Sequence, residues 1–135
     1  MDAKVPQLAL TLPASWTAPR EARRALHAWL LMSQCGQETA QTAELLATEL
    51  ITNVVRHTPS SALCLSAELD GGHVRVSVRD GWGQDSLPRR GRTHTPAGGG
   101  RGLMLVKTLA SDWGWELHPE GKDVWFELAI AETAR

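Results

Sequence analysis

The sequence predicts an α+β fold, a two-layer α/β sandwich whose mostly antiparallel sheet is covered on one face by three helices. Three observations predict it. Two apolar-alternating runs flank the tight-turn signal Asp70-Gly71-Gly72, and a second such pair flanks Glu120-Gly121-Lys122. Three other segments carry apolar residues at helical spacing. The chain order is strand, helix, helix, strand, strand, loop, helix, strand, strand, so short turns force antiparallel pairing and leave the helices to one side.

The first strand is read over residues 7–12, where Leu8, Leu10 and Leu12 alternate with Gln7, Ala9 and Thr11. Pro13 stops it. A helix follows, with Thr17 as N-cap and Pro19 near its start. Ala22, Leu26, Trp29 and Leu30 form its apolar stripe, and Gly36 is expected as its C-terminal cap residue. The second helix is expected from Glu38 to Arg56 or His57, with Ala43, Leu46, Ala47, Leu50, Ile51 and Val54 on one side. Pro59 closes it.

In the first hairpin, Leu63, Leu65, Ala67 and Leu69 share a face, as do Val74, Val76 and Val78 on the return strand. Periodicity vanishes from Gly81 to Arg101, a stretch rich in Gly, Pro, Arg and Ser. A structureless segment of that length inside a compact domain is functional or disordered. A third helix is expected over residues 103–110, with Gly102 at its start. The last hairpin joins residues 113–118 to residues 123–130, where Val124, Phe126, Leu128 and Ile130 face inward. No internal repeat is visible, and the tail from Ala131 is expected to fray.

Composition narrows the class. The 135 residues suit one domain, expected to span 1–135 with an ordered core of about 7–130. The 42% apolar content is enough for a core. The 14 Lys+Arg against 15 Asp+Glu give a net charge of -1, which argues against a nucleic-acid-coating protein. No apolar run approaches the roughly 20 residues that span a bilayer, and no secretory signal is seen, so a cytoplasmic protein is expected. Cys35 and Cys64 fit no CxxC spacing and read as buried or idle thiols. The chain has 6 Trp, 1 Phe and no Tyr. Trp29, Trp113, Trp115 and Trp125 read as packing or interface anchors. His73, His94 and His118 have no metal-ligand spacing. Arg89-Arg90-Gly91-Arg92 reads as a solvated basic run or as a contact for phosphate or an acidic partner.

Three groups of residues carry chemistry. Glu49, Asn53 and His57 recur every fourth residue and stack on one strip of the second helix, at the margin of its apolar face. A carboxylate and an amide about 6 Å apart suit a hard cation and a nearby hydroxyl, since Mg²⁺ takes oxygen ligands. A solvated helix edge with a C-terminal His explains the same spacing. Asp80 continues the inward face of Val74, Val76 and Val78, so its carboxylate needs a partner. A ligand that donates hydrogen bonds, such as the amino group of adenine, satisfies it; so does an Asp capping its own turn. Gly98-Gly99-Gly100-Arg101-Gly102 leads into a helix, where free N–H groups meet anions, or else serves as a hinge. It matches neither the P-loop nor the dinucleotide fingerprint.

In this order the motifs resemble those of the GHKL ATPase/kinase superfamily, whose ATP site is the Bergerat fold. Residues 49–57, ELITNVVRH, resemble its N-box; Asp80-Gly81-Trp82-Gly83 resembles its first glycine box; Gly100-Arg101-Gly102-Leu103 resembles its second. The chain is most similar to the small single-domain anti-sigma factor/serine-threonine kinases of actinobacterial type, and its closing hairpin also resembles theirs. The resemblance covers roughly residues 8–130. It implies ATP and Mg²⁺ as cofactors, with Asn53 holding Mg²⁺ and Glu49 as general base on a serine hydroxyl or water. It implies Asp80 on the adenine amino group. Gly81, Gly83, Gly98, Gly99, Gly100, Arg101, Gly102 and Leu103 would line the nucleotide, with His57 closing the N-box and 81–101 as the ATP lid. The implied function is to sequester a sigma factor and to phosphorylate a serine on an anti-sigma antagonist. No direct nucleic acid or membrane contact is implied, and a homodimer is. The first box departs from D-x-G-x-G: Trp82 and Gln84 stand at its second and fourth following positions. Trp82 would stack on the base or block it. The alternative function is a non-catalytic or nucleotide-independent module that regulates a partner by occupancy.

Overall fold

The computed structural model describes residues 7–57, 62–80, 90–91, 100–119 and 121–130. Its elements are β1 (Leu8–Pro13), α1 (Ala18–Ser33), α2 (Gln37–His57), β2 (Ala62–Asp70), β3 (His73–Asp80), β4 (Arg90–Gly91), α3 (Gly100–Leu109), β5 (Asp112–His118) and β6 (Gly121–Ala129). The strands form one sheet in the order β1-β2-β3-β6-β5-β4. Every neighbouring pair is antiparallel. The three helices pack on one face, as expected, with α2 between α1 and α3 and against β3 and β6.

Alternation in the sequence sets which side chains enter the core. The apolar residues of β2 and β3 face the helices, with Leu65 opposite Val78 and Ala67 opposite Val76. Phe126, Leu26, Leu46, Ile51 and Val106 are fully buried between the layers. Trp29, Trp113 and Trp115 are buried there too. The β2–β3 turn is the two-residue Gly71-Gly72, with φ of 56° and 89°. A two-residue turn with both φ positive matches the twist of its strands, and glycine adopts it without a Cβ clash.

The opposite face of the sheet is a polar ladder. Arg79 donates to both Asp123 carboxylate oxygens at 2.9 and 3.0 Å. Arg75 reaches Glu127 at 3.0 Å and lies 4.0 Å over the Trp125 ring. Gly114 is required beneath that ring: a Cβ there would come within 2.7 Å of Trp125 Cζ2.

Several local expectations change. Thr17 precedes α1 but makes no side-chain cap; its backbone N–H instead donates to Ser15 Oγ at 3.4 Å. The first turn of α1 is favoured by Pro19, whose missing N–H needs no acceptor there. The left-handed residue that ends α1 is Gln34, not Gly36. Gly36 is instead the residue just before α2, with φ of 97° and its carbonyl accepting from the Ala40 N–H at 3.0 Å. Lys122, read as a turn residue, belongs to β6, because pairing runs on to His118 opposite Gly121. Within the segment read as a continuous loop, Arg90 and Gly91 pair with Glu116 and Trp115. Helix α3 starts at Gly100, so Gly100, Arg101 and Gly102 form its first turn. Early helical residues lack internal acceptors for their N–H groups in any case, so glycines cost little there, while buried Leu103 and Val106 anchor the helix.

Candidate functional site

The site is built from the end of β3 and two helix segments. Residues 43–54 of α2 bury Ala43, Leu46, Ala47, Leu50, Ile51 and Val54. Glu49 and Asn53 fall one turn apart at the edge of that stripe and are half-buried. Both are held on a helix that packs against α3 and β3. Their oxygens are of the kind that a hard cation takes. No group of three or more His, Cys, Asp and Glu suited to a metal occurs among the described residues.

Asp80 ends β3 on the helix-covered side and is 2% exposed. Leu63 stands opposite it on β2 and Lys122 on β6. Lys122 is 6% exposed. Burial lowers its pKa from the ordinary 10.5, and the Asp80 carboxylate pulls it back up. The sequence reading missed this residue as part of the site. Its signal was strand parity: Lys122 lies two residues before Val124, in phase with Phe126 and Leu128. One strand further, the Trp115 indole Nε1–H is buried with no hydrogen-bond partner among the described residues. The end of β3 thus carries a buried carboxylate with a buried ammonium opposite it on β6.

The second glycine box forms the first turn of α3, with Leu103 1% exposed beneath it. The N–H groups of Gly100, Arg101 and Gly102 are therefore among those that a helix leaves without internal acceptors, a setting that favours anions. His57 is the last residue of α2. Gly81, Trp82, Gly83, Gln84, Gly98 and Gly99 lie outside the described residues, as do Arg89, Arg92 and His94. Within the described residues, residues 49–57 lie on α2, and Asp80 and the second glycine box lie on β3 and α3, which both adjoin it.

Cys35 is buried, Cys64 is partly buried, and both are free thiols. Among the described residues, no helix is long and apolar enough to cross a membrane.

Among curated proteins, none matches this sequence. Among solved structures, the fold is similar to a chain holding the RsbU and RsbW domains of Rv1364c from Mycobacterium tuberculosis. The TM-score is 0.73 at 24% sequence identity; the match covers 96% of this chain and 34% of that one. The model of the histidine kinase-like ATPase domain matches residues 12–128. That span takes in the N-box, Asp80, the second glycine box and the closing hairpin, and the chain belongs to the histidine kinase-like ATPase domain family.

Proposed function

We propose that this chain is a cytoplasmic ATP-binding anti-sigma factor and protein serine/threonine kinase. It sequesters a sigma factor and phosphorylates a serine on an anti-sigma antagonist. The observation that carries the reading is Asp80, a buried carboxylate at the end of β3, in a chain of this family. The likeness to a structure with an RsbW domain, and the motif resemblance to anti-sigma kinases, support the partner class. The reading takes residues 1–135 as one domain that works as a homodimer and touches neither nucleic acid nor membrane.

When bound, ATP with Mg²⁺ supplies the transferable phosphoryl group. The residues of the chain bind and orient it. Asp80 accepts from the adenine amino group. Asn53 holds the cation through its amide oxygen. N–H groups of Gly100, Arg101 and Gly102 face the phosphates, over the buried Leu103. Gly81, Gly83, Gly98 and Gly99 belong to the lid, and His57 closes the N-box strip. Glu49 would take the proton of the attacking serine hydroxyl as that oxygen bonds to the γ-phosphorus and the bond from that phosphorus to the bridging oxygen breaks, ADP being the leaving group; this is the task of a general base.

Calorimetric titration with ATP and Mg²⁺ tests the reading. Wild type binds, Asp80→Asn binds at least about tenfold more weakly, and Asn53→Ala loses the Mg²⁺ dependence of its affinity. Glu49→Ala keeps binding and loses phosphoryl transfer to the antagonist. No binding by wild type at millimolar ATP leaves only the alternative, a nucleotide-independent module acting by occupancy.

A further inference from the structure

The reading above gives the sheet edge at β1 no task, yet that edge is open. β1 is an end strand of the sheet, and among the described residues it pairs with β2 alone. Which of its backbone groups are free follows from the β2–β3 hairpin. A two-residue turn closes on a hydrogen-bonded pair, here Asp70 and His73. Every second residue of β2 counted back from Asp70 therefore bonds to β3, and the residues between them bond to β1. Leu63, Leu65 and Ala67 are of the second kind, and their partners on β1 are Leu12, Leu10 and Leu8. The N–H and C=O groups of Ala9 and Thr11 are left pointing outward, and both residues are exposed.

Such a row of backbone groups is matched by another extended strand. Native edge strands discourage that pairing with charges, bulges or proline. β1 has the sequence LALTLP, with no charged side chain and its one proline at the last position. It is also self-complementary. Antiparallel to a copy of itself about a two-fold axis at Leu10, it sets Leu8 against Leu12 and Ala9 against Thr11. The free groups of Ala9 and Thr11 then bond to one another, and no like charges are opposed. Leu8 and Leu10 are only half-buried in one copy, and the leucines of the second would extend the core over them.

The helical layer allows this approach. α1 lies over β1 and β2, at the end of that layer. On one flank of α1, His27 reaches Glu44 of α2 at 2.6 Å. At about 100° per residue, the other flank carries Glu21, Ala25, Ala28 and Met32. The two alanines leave room for α1 of a second copy, and Met32, 58% exposed, offers it an apolar contact.

We propose that β1 is the homodimer interface: the β1 strands of two copies pair antiparallel about Leu10 and join two sheets into one. The inference rests on the homodimer reading above and names its surface. The two-fold axis uses one edge of each sheet, so the pairing closes at two copies.

Sedimentation equilibrium of the full chain tests it with two variants. Ala9→Pro removes an outward N–H and no bond to β2, whereas Ala9→Val keeps that N–H. Wild type and Ala9→Val are expected to dimerise, and Ala9→Pro at least about tenfold more weakly. Amide hydrogen exchange of wild type is the second measurement. The Ala9 and Thr11 amides should be protected in the dimer and lose that protection on dilution. Equal dimerisation by folded Ala9→Pro overturns the proposal. So does exchange at these amides that is as fast in the dimer as in the monomer, whether or not the variant folds. Protection that survives dilution to monomer overturns it too, because something other than a second copy would then cover the edge. If wild type stays monomeric at every concentration, the homodimer reading fails and takes this inference with it; if it dimerises with these amides unprotected, only the choice of β1 fails.

Discussion

Lys122 faces Asp80 across the β3–β6 ladder, and both side chains are buried on the side of the sheet that the helices cover. A buried charge pair costs desolvation, and its geometry decides how much of that cost is recovered. In this pair burial outweighs attraction at the lysine, whose pKa lies below 10.5 in the folded chain.

A pH dependence of stability follows. The unfolded chain keeps the Lys122 proton up to its ordinary value of 10.5, whereas the folded chain releases it earlier. Between those two values the unfolded state binds more protons, so stability rises with pH. Below the folded value both states are charged, and the burial cost stands in full. Urea unfolding from neutrality towards 10.5 should show wild type gaining stability relative to Lys122→Met. A difference between the two that stays flat over that range would contradict the assignment.

Gly114 and Trp125 should behave as a coupled pair. The Trp125 ring occupies the place where a Cβ at residue 114 would sit. Gly114→Ala should therefore cost about 1–3 kcal/mol, the range for overpacking. The cost should largely vanish when Trp125 is also replaced by alanine, because the clash is with its ring. A double-mutant cycle by denaturant unfolding checks this. Additive effects would place the cost of Gly114→Ala elsewhere in the backbone.

The two faces of the sheet should differ sharply in what they contribute. Phe126→Ala should cost about 3–5 kcal/mol, since it empties a fully buried site between sheet and helices. Arg79→Ala removes a bidentate pair whose arginine side chain is 37% exposed, and it should cost no more than about 1 kcal/mol. Chemical denaturation of the two variants reads the contrast. Comparable losses would mean that the polar ladder carries more of the fold than solvent screening allows.

By itself the sequence determined the fold class, the strand faces, the extent of α2 and the strip that carries Glu49 and Asn53. These follow from periodicity, because a helix or a strand repeats its faces over several residues. The Leu65, Val76 and Phe126 parities are of this kind, and so is the inward placement of Asp80. Features set by one or two residues were not legible in this way. Gly36 looked like a C-cap of α1, yet Gln34 takes that left-handed position and Gly36 sits just before α2, its carbonyl accepting the first bond of that helix. Gly100 and Arg101 looked like the end of a loop, with Gly102 at the helix start, yet packing of Leu103 and Val106 draws all three into the first turn of α3. Only the tertiary structure set Lys122 against Asp80, because that contact depends on the register between two strands more than forty residues apart in the chain. Local periodicity fixes which face a residue takes; register between distant strands fixes which residue it meets.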